Sequence, residues 1–187
     1  MTIKVLVFAG SVRTGSLNER LARHAAGVLR ECGAEVTHAS LRDFSMPIYD
    51  GDLERESGVP QAAQHFAALI GQHQGVFITC PEYNAGVPPL VKNTLDWVSR
   101  LRPSTAFKGR VFGLGSASDS VRGGYRALIH LRHTMELGLG ALVQPQMVSV
   151  AHASRVLGED GSLDDENAAK TARSTLEALL ENARRFA

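Results

Sequence analysis

The sequence predicts an α/β fold: a five-stranded parallel sheet with helices on both faces. Three observations lead there. Short apolar runs that read as buried strands alternate with segments of helical periodicity almost to the end of the chain. No internal repeat, low-complexity segment or linker breaks that alternation. The 187 residues are also enough for one domain with a substantial core, so residues 1–187 are expected to form a single unit.

Residues 3–9 are largely apolar and end at Gly10, as a strand buried on both faces would. Leu17, Leu21, Ala25, Val28 and Leu29 then recur at helical spacing, with Gly33 where a helix would stop. Residues 36–39 form a second strand. Residues 46–60 carry Pro, Gly and acids without periodicity and read as a long loop. A helix over 61–72 leads into a third strand at 75–80. Residues 87–100 are amphipathic, with Leu90, Val91, Leu95 and Val98 on one side. A fourth strand is expected at 110–115, a helix at 124–138, and a fifth strand at 141–150 interrupted by Pro145. A closing helix from Asp164 onward carries Leu176, Leu179 and Leu180.

Five strands in so short a chain suit the order 2-1-3-4-5, a flavodoxin-like three-layer sandwich, better than a full dinucleotide fold. Ligands in such sheets bind beyond the carboxyl ends of the strands, where strand order reverses. That directs attention to the loops after Ala9, Cys80 and Gly115.

Composition narrows the function classes. Hydrophobic residues make up 44% and charged residues 21%, as in folded soluble proteins. A formal net charge of +1 gives no overall field for nucleic acid or an acidic membrane surface. Cys32 and Cys80 are too few for a disulfide framework and fit a reducing compartment. The apolar run at the start is too short for a signal-peptide core, and no apolar stretch approaches the roughly 20 residues that span a bilayer. A cytoplasmic protein is expected.

The first loop reads Gly10-Ser11-Val12-Arg13-Thr14-Gly15-Ser16-Leu17-Asn18. Hydroxyls, exposed backbone N–H groups and a helix N-terminus together suit an anion, and the planar fork of Arg13 matches phosphate oxygens. The spacing is not the G-x-G-x-x-G of dinucleotide folds. Ser16 also stands where the lysine of a triphosphate-binding G-x-x-x-x-G-K-[ST] loop belongs. The competing reading is a helix start capped by serine after an ordinary turn.

The second loop, Pro81-Glu82-Tyr83-Asn84-Ala85-Gly86-Val87-Pro88-Pro89, combines three restricting prolines with one turning glycine. Its backbone can face the edge of a planar ligand while Tyr83 offers an aromatic surface; alternatively it is a rigid surface loop. The third loop, residues 116–124, is small and polar, with Ser116, Ser118 and the pair Gly123-Gly124. On its own it reads as an ordinary turn.

Together these stretches resemble the NAD(P)H-dependent FMN reductase family, which includes quinone and chromate reductases. GSVRTGSLN, PEYNAGVPPLVKNTLDW and the paired glycines carry the resemblance, in register over most of the chain. It implies non-covalent FMN, with Ser11, Arg13, Ser16, Leu17 and Asn18 around the phosphate. Pro81, Glu82, Tyr83, Asn84 and Ala85 would line the isoalloxazine ring, and Ser116 and Ser118 would complete its pocket. NADH or NADPH would be the electron donor. Small-molecule acceptors follow: quinones, chromate, azo compounds or free flavin. Where relatives often have a glycine before the paired glycines, this chain has Asp119-Ser120.

No side chain stands out as an acid–base catalyst, which suits chemistry carried by the flavin itself; Glu82 is either a proton source or an organiser of its loop. His130 and His133 lie three apart on a helix, but no further ligand pattern joins them, so no metal is expected. Cys80 and Trp97 read as packing residues. On the helix after Gly124, Leu128, Leu131, Met135 and Leu139 form one stripe while Ile129 and Leu137 fall outside it. That spread predicts a homodimer, or a homotetramer built from dimers. The second function class is a flavodoxin-type FMN electron carrier that oxidises no nicotinamide. Such carriers are typically strongly acidic, unlike this chain. The lack of a G-x-S-x-G elbow argues against a third reading, a serine hydrolase.

Overall fold

The computed structural model describes residues 2–102 and 106–187. Five parallel strands, β1 (Lys4–Ala9), β2 (Glu35–Ser40), β3 (Gly75–Thr79), β4 (Val111–Ala117) and β5 (Leu142–Val150), pair in the order β2-β1-β3-β4-β5. Side chains alternate across the central strands, so two cores form. Val5 and Val7 pack with α1 (Leu17–Glu31) and α7 (Glu166–Arg185) on one face. Leu6, Phe8, Val76 and Ile78 face the other way, toward α3 (Gln61–Gly71), α4 (Pro89–Ser99) and α5 (Tyr125–His133).

Three expectations need correction. The loop read into residues 46–60 contains a helix, α2 (Gly51–Ser57), capped by the Asp50 carboxylate on the Asp52 amide at 2.8 Å and stopped at Gly58. It buries no side chain, so no apolar period could announce it. The segment leading into it is strapped to α4: the Trp97 Nε1–H and the Asn93 amide both donate to the Pro47 carbonyl at 2.8 Å. Trp97 itself is fully buried.

The helix expected over 124–138 is α-helical only through His133, after which Thr134–Gly138 widens into a π-turn. Leu128, Leu131 and Met135 stay fully buried, whereas Ile129 is 47% and Leu137 77% exposed.

Nor does Pro145 interrupt the fifth strand. β5 runs through it, and the ladder jumps from Phe112↔Val143 to Leu114↔Met147, placing the proline in a bulge. A bulge on a strand at the sheet edge tolerates a residue that has no N–H to donate. A short helix, α6 (Ala153–Val156), links β5 to the tail. Among the described residues no helix is long and apolar enough to cross a membrane.

Candidate functional site

The three loops meet at the carboxyl ends of β1, β3 and β4. Their closure begins in the backbone: the Gly10 amide donates to the Thr79 carbonyl and the Cys80 amide to the Gly115 carbonyl, both at 2.7 Å. A Cβ on Gly10 would overlap the Val91 side chain, so the first loop approaches α4 this closely only as glycine. Asn18 is buried and spans the cleft floor. Its amide donates to the Ala117 carbonyl at 2.9 Å, and its oxygen accepts from the Ala117 N–H at 3.1 Å. The Thr79 hydroxyl donates to the Asn18 carbonyl at 2.7 Å, tying in the second loop's strand.

The resulting cleft, about 270 Å³, is lined by Ser11, Arg13, Ser16, Leu17 and Asn18 from the first loop and Pro81, Glu82 and Tyr83 from the second. Ala117, Ser118 and Asp119 complete it. Most of the expected site residues are thus brought together. Asn84 and Ala85 lie in the adjoining turn instead of the wall. Ser116 sits behind it, fully buried, with a hydroxyl that has no hydrogen-bond partner among the described residues and lies against Gly124. Ala117 and Asp119 were missed. Asp119 sits in the Asp119-Ser120 position where the resemblance departs, and its carboxylate accepts from the Ser154 amide at 2.8 Å, fastening the third loop to α6. Hydrogen bonding from Ser154 holds that carboxyl below its usual range.

At one end the cleft suits a dianion. The Ser16 hydroxyl does not cap α1, and among the described residues no other side chain does, which leaves the amides of its first turn to an outside acceptor. This removes the reading of Ser16 as a simple cap. Arg13 is exposed beside them, and among the described residues no carboxylate pairs with it.

The other end is bounded by a tight turn. Tyr83 and Gly86 exchange backbone hydrogen bonds of 3.1 and 2.9 Å, with Asn84 at φ 50° and Ala85 at φ 63° between them. Left-handed backbone suits asparagine but costs alanine about 1 kcal/mol or more. Glu82 fastens this turn to α5. The helix starts at Gly124, whose φ of 83° and contact with the Ser116 hydroxyl admit only glycine, so the helix has no side-chain cap of its own. Glu82 supplies one from outside: one carboxylate oxygen accepts from the Arg126 amide at 3.1 Å and the Ala127 amide at 3.4 Å. Its other oxygen accepts from the Arg126 guanidinium, with the Nε bond at 2.9 Å. The Glu82 side chain is only 8% exposed, and the Arg126 hydrogen bonds hold its carboxyl below the usual range. An ionised acceptor in this setting organises the loop and is no proton donor. Cys80 is buried behind the turn, its thiol pushed up to about 12 by burial.

The parts match the FMN group in sign and shape: free helix-terminal amides and an unpaired arginine for a phosphate, and an unpartnered buried hydroxyl and a fixed turn beside an aromatic surface for a ring. Comparison with known proteins agrees. The chain is 32% identical over 166 residues to the quinone reductase of Escherichia coli K12, covering 88% of this chain and 86% of that one. It is 32% identical over 179 residues to an NAD(P)H-dependent FMN reductase of Pseudomonas aeruginosa, covering 95% and 93%. A flavoenzyme NAD(P)H:(acceptor) oxidoreductase from Paracoccus denitrificans shares the fold at a TM-score of 0.84, with 24% identity and 99% of each chain covered. The sequence profile described as NADPH-dependent FMN reductase matches residues 3–155, and with the identities above it establishes that this chain belongs to that family.

Proposed function

We propose that residues 1–187 form one FMN-binding unit that oxidises NADH or NADPH and reduces quinones or similar small acceptors. The observation that carries this reading is the convergence of an uncapped helix N-terminus, the unpaired Arg13 and the clamped 82–86 turn on one cleft. When bound, FMN supplies the ring that accepts hydride and passes on electrons. Arg13 and the first-turn amides of α1 hold its phosphate. Asn18 keeps the first and third loops in register, while Tyr83 flanks the cleft. Glu82 keeps its turn fixed and stays ionised.

The experiment is a visible spectrum of the purified protein, followed by anaerobic addition of NADPH or NADH. A yellow protein that bleaches supports the reading. Colourless protein that fails to take up added FMN overturns it, and a flavin that nicotinamide leaves oxidised indicates an electron carrier.

Two finer proposals accompany this. The exposed Ile129 and Leu137 favour a second copy of the chain against this side of α5 and the π-turn, as a homodimer or a dimer of dimers. Light scattering at micromolar concentration should return a multiple of the 20.1 kDa chain mass; a monomer contradicts it. Cytoplasmic residence is proposed from the two free cysteines, and fractionation of cells tests it.

A further inference from the structure

We infer that Arg126 is a positioning residue for the turn at the ring end of the cleft: by gripping Glu82 it sets the 83–86 turn, with Asn84 and Ala85 in the left-handed region, before any cofactor arrives. The inference rests on the flavin reading given above and adds a part to it.

The turn cannot be held by its own sequence. Asn84 and Ala85 both have positive φ, and position 85, where glycine would be unstrained, is alanine. The two Tyr83–Gly86 bonds close the turn but do not anchor it. Among the described residues, Glu82 is the one side chain of 81–86 whose hydrogen bonds reach outside the segment, and they all end on the first turn of α5. The backbone amides of Arg126 and Ala127 satisfy one oxygen; the other has only the Arg126 guanidinium. Without that guanidinium a nearly buried carboxylate oxygen loses its partner, and Glu82 gains by swinging into water. The turn then loses its tether and relaxes out of the left-handed region. A ligand that needs the set turn would bind with its affinity divided by the reduced fraction of chains that keep it.

The test uses apo protein, with Arg126→Ala, Arg126→Lys and wild type compared. Amide exchange at Tyr83 and Gly86 reports the turn directly, and exchange at Phe8 and Ile78 reports the sheet. Dissociation constants for FMN and for riboflavin are measured by quenching of flavin fluorescence. Expected for Arg126→Ala is about tenfold faster exchange at Tyr83 and Gly86, unchanged exchange in the sheet, and a rise of about tenfold in both dissociation constants. Arg126→Lys should recover part of each effect, since a lysine offers a point charge without the fork.

Unchanged exchange at the turn overturns the inference. So does faster exchange with flavin affinity unaltered, because the turn would then not be what the ring meets. Equal loss of protection in the sheet would make Arg126 a general stabilising residue and also defeats it. Wild type that binds neither flavin overturns the reading of the cleft, and the inference falls with it; wild type that binds both while the variant matches it overturns the inference alone.

Discussion

Asn18 and Ala117, 99 residues apart, form a two-way pair: the side-chain amide donates to the Ala117 carbonyl and its oxygen accepts from the Ala117 N–H. The pair reproduces the hydrogen bonding of a β-ladder across the cleft floor. It ties the start of α1 to the end of β4, so a substitution at one end of the cleft is expected to leave the other end in place. Single substitutions can therefore be assigned to one part of the ligand.

In the proposed reading Arg13 would serve the phosphate end alone. Arg13→Ala should weaken FMN binding about tenfold to a hundredfold, the range expected when a charge-assisted hydrogen bond of roughly 1.5–3 kcal/mol is lost. Riboflavin, which has no phosphate, should bind wild type and variant equally. Calorimetric titration of both ligands measures this, and an equal loss for riboflavin would remove Arg13 from the phosphate site.

Turnover should be ping-pong. The three loops form one cleft, so donor and acceptor must use it in turn. Initial rates at several fixed quinone concentrations should give parallel double-reciprocal lines, and NADPH alone should bleach the flavin no more slowly than turnover. Intersecting lines, with bleaching that needs quinone, would mean that both substrates bind together.

Glu82 gives the fold an acid-sensitive contact. Its carboxyl lies below the usual range in the folded protein, chiefly through the Arg126 hydrogen bonds. A depressed value stabilises the fold above the unfolded carboxylate value of about 4.3, and that contribution disappears as pH falls through the folded value. Thermal melts of wild type and Glu82→Gln should therefore differ most at neutral pH and draw together on acidification. A gap that stays constant down to the acid limit would show that the charge of Glu82 contributes nothing.

Cys80 should be chemically silent. With its thiol at about 12 and its side chain fully buried, almost no thiolate exists near neutral pH. An aromatic disulfide reagent at pH 8 should titrate at most one thiol, Cys32, in the native protein and two after unfolding. Rapid reaction of two native thiols would mean that the strand end around Cys80 opens.

The sheet was legible in the sequence because its signal is local. Val5 to Ala9 and Val76 to Ile78 are apolar throughout, and the loops that follow these strands carry unusual residues. What escaped depends on long-range pairing or on elements without a core face. Helix α2 buries nothing and so has no period, although Asp50 and Gly58 mark its ends. Asn18 reads in sequence as a phosphate neighbour; its partnership with Ala117 exists only once β4 lies beside β3. Glu82 reads as a possible acid, and only the arrival of α5 turns it into a cap. The expected first-loop residues, Ser11, Arg13, Ser16, Leu17 and Asn18, all line one cleft, because residues close in sequence around a helix start stay close in space.

The bulge at Pro145 also bears on how molecules of this protein meet. β5 is an edge of the sheet, and an unbroken edge is a template on which another chain's strand can continue the ladder. Here Pro145 has no N–H to donate, and the shift from Val143 to Met147 puts a bulge in the strand, which makes this edge a poorer template. The bulge therefore works against two copies continuing the sheet along this edge. Strand-on-strand association is disfavoured at this edge, while the sheet's other edge, β2, carries no such break.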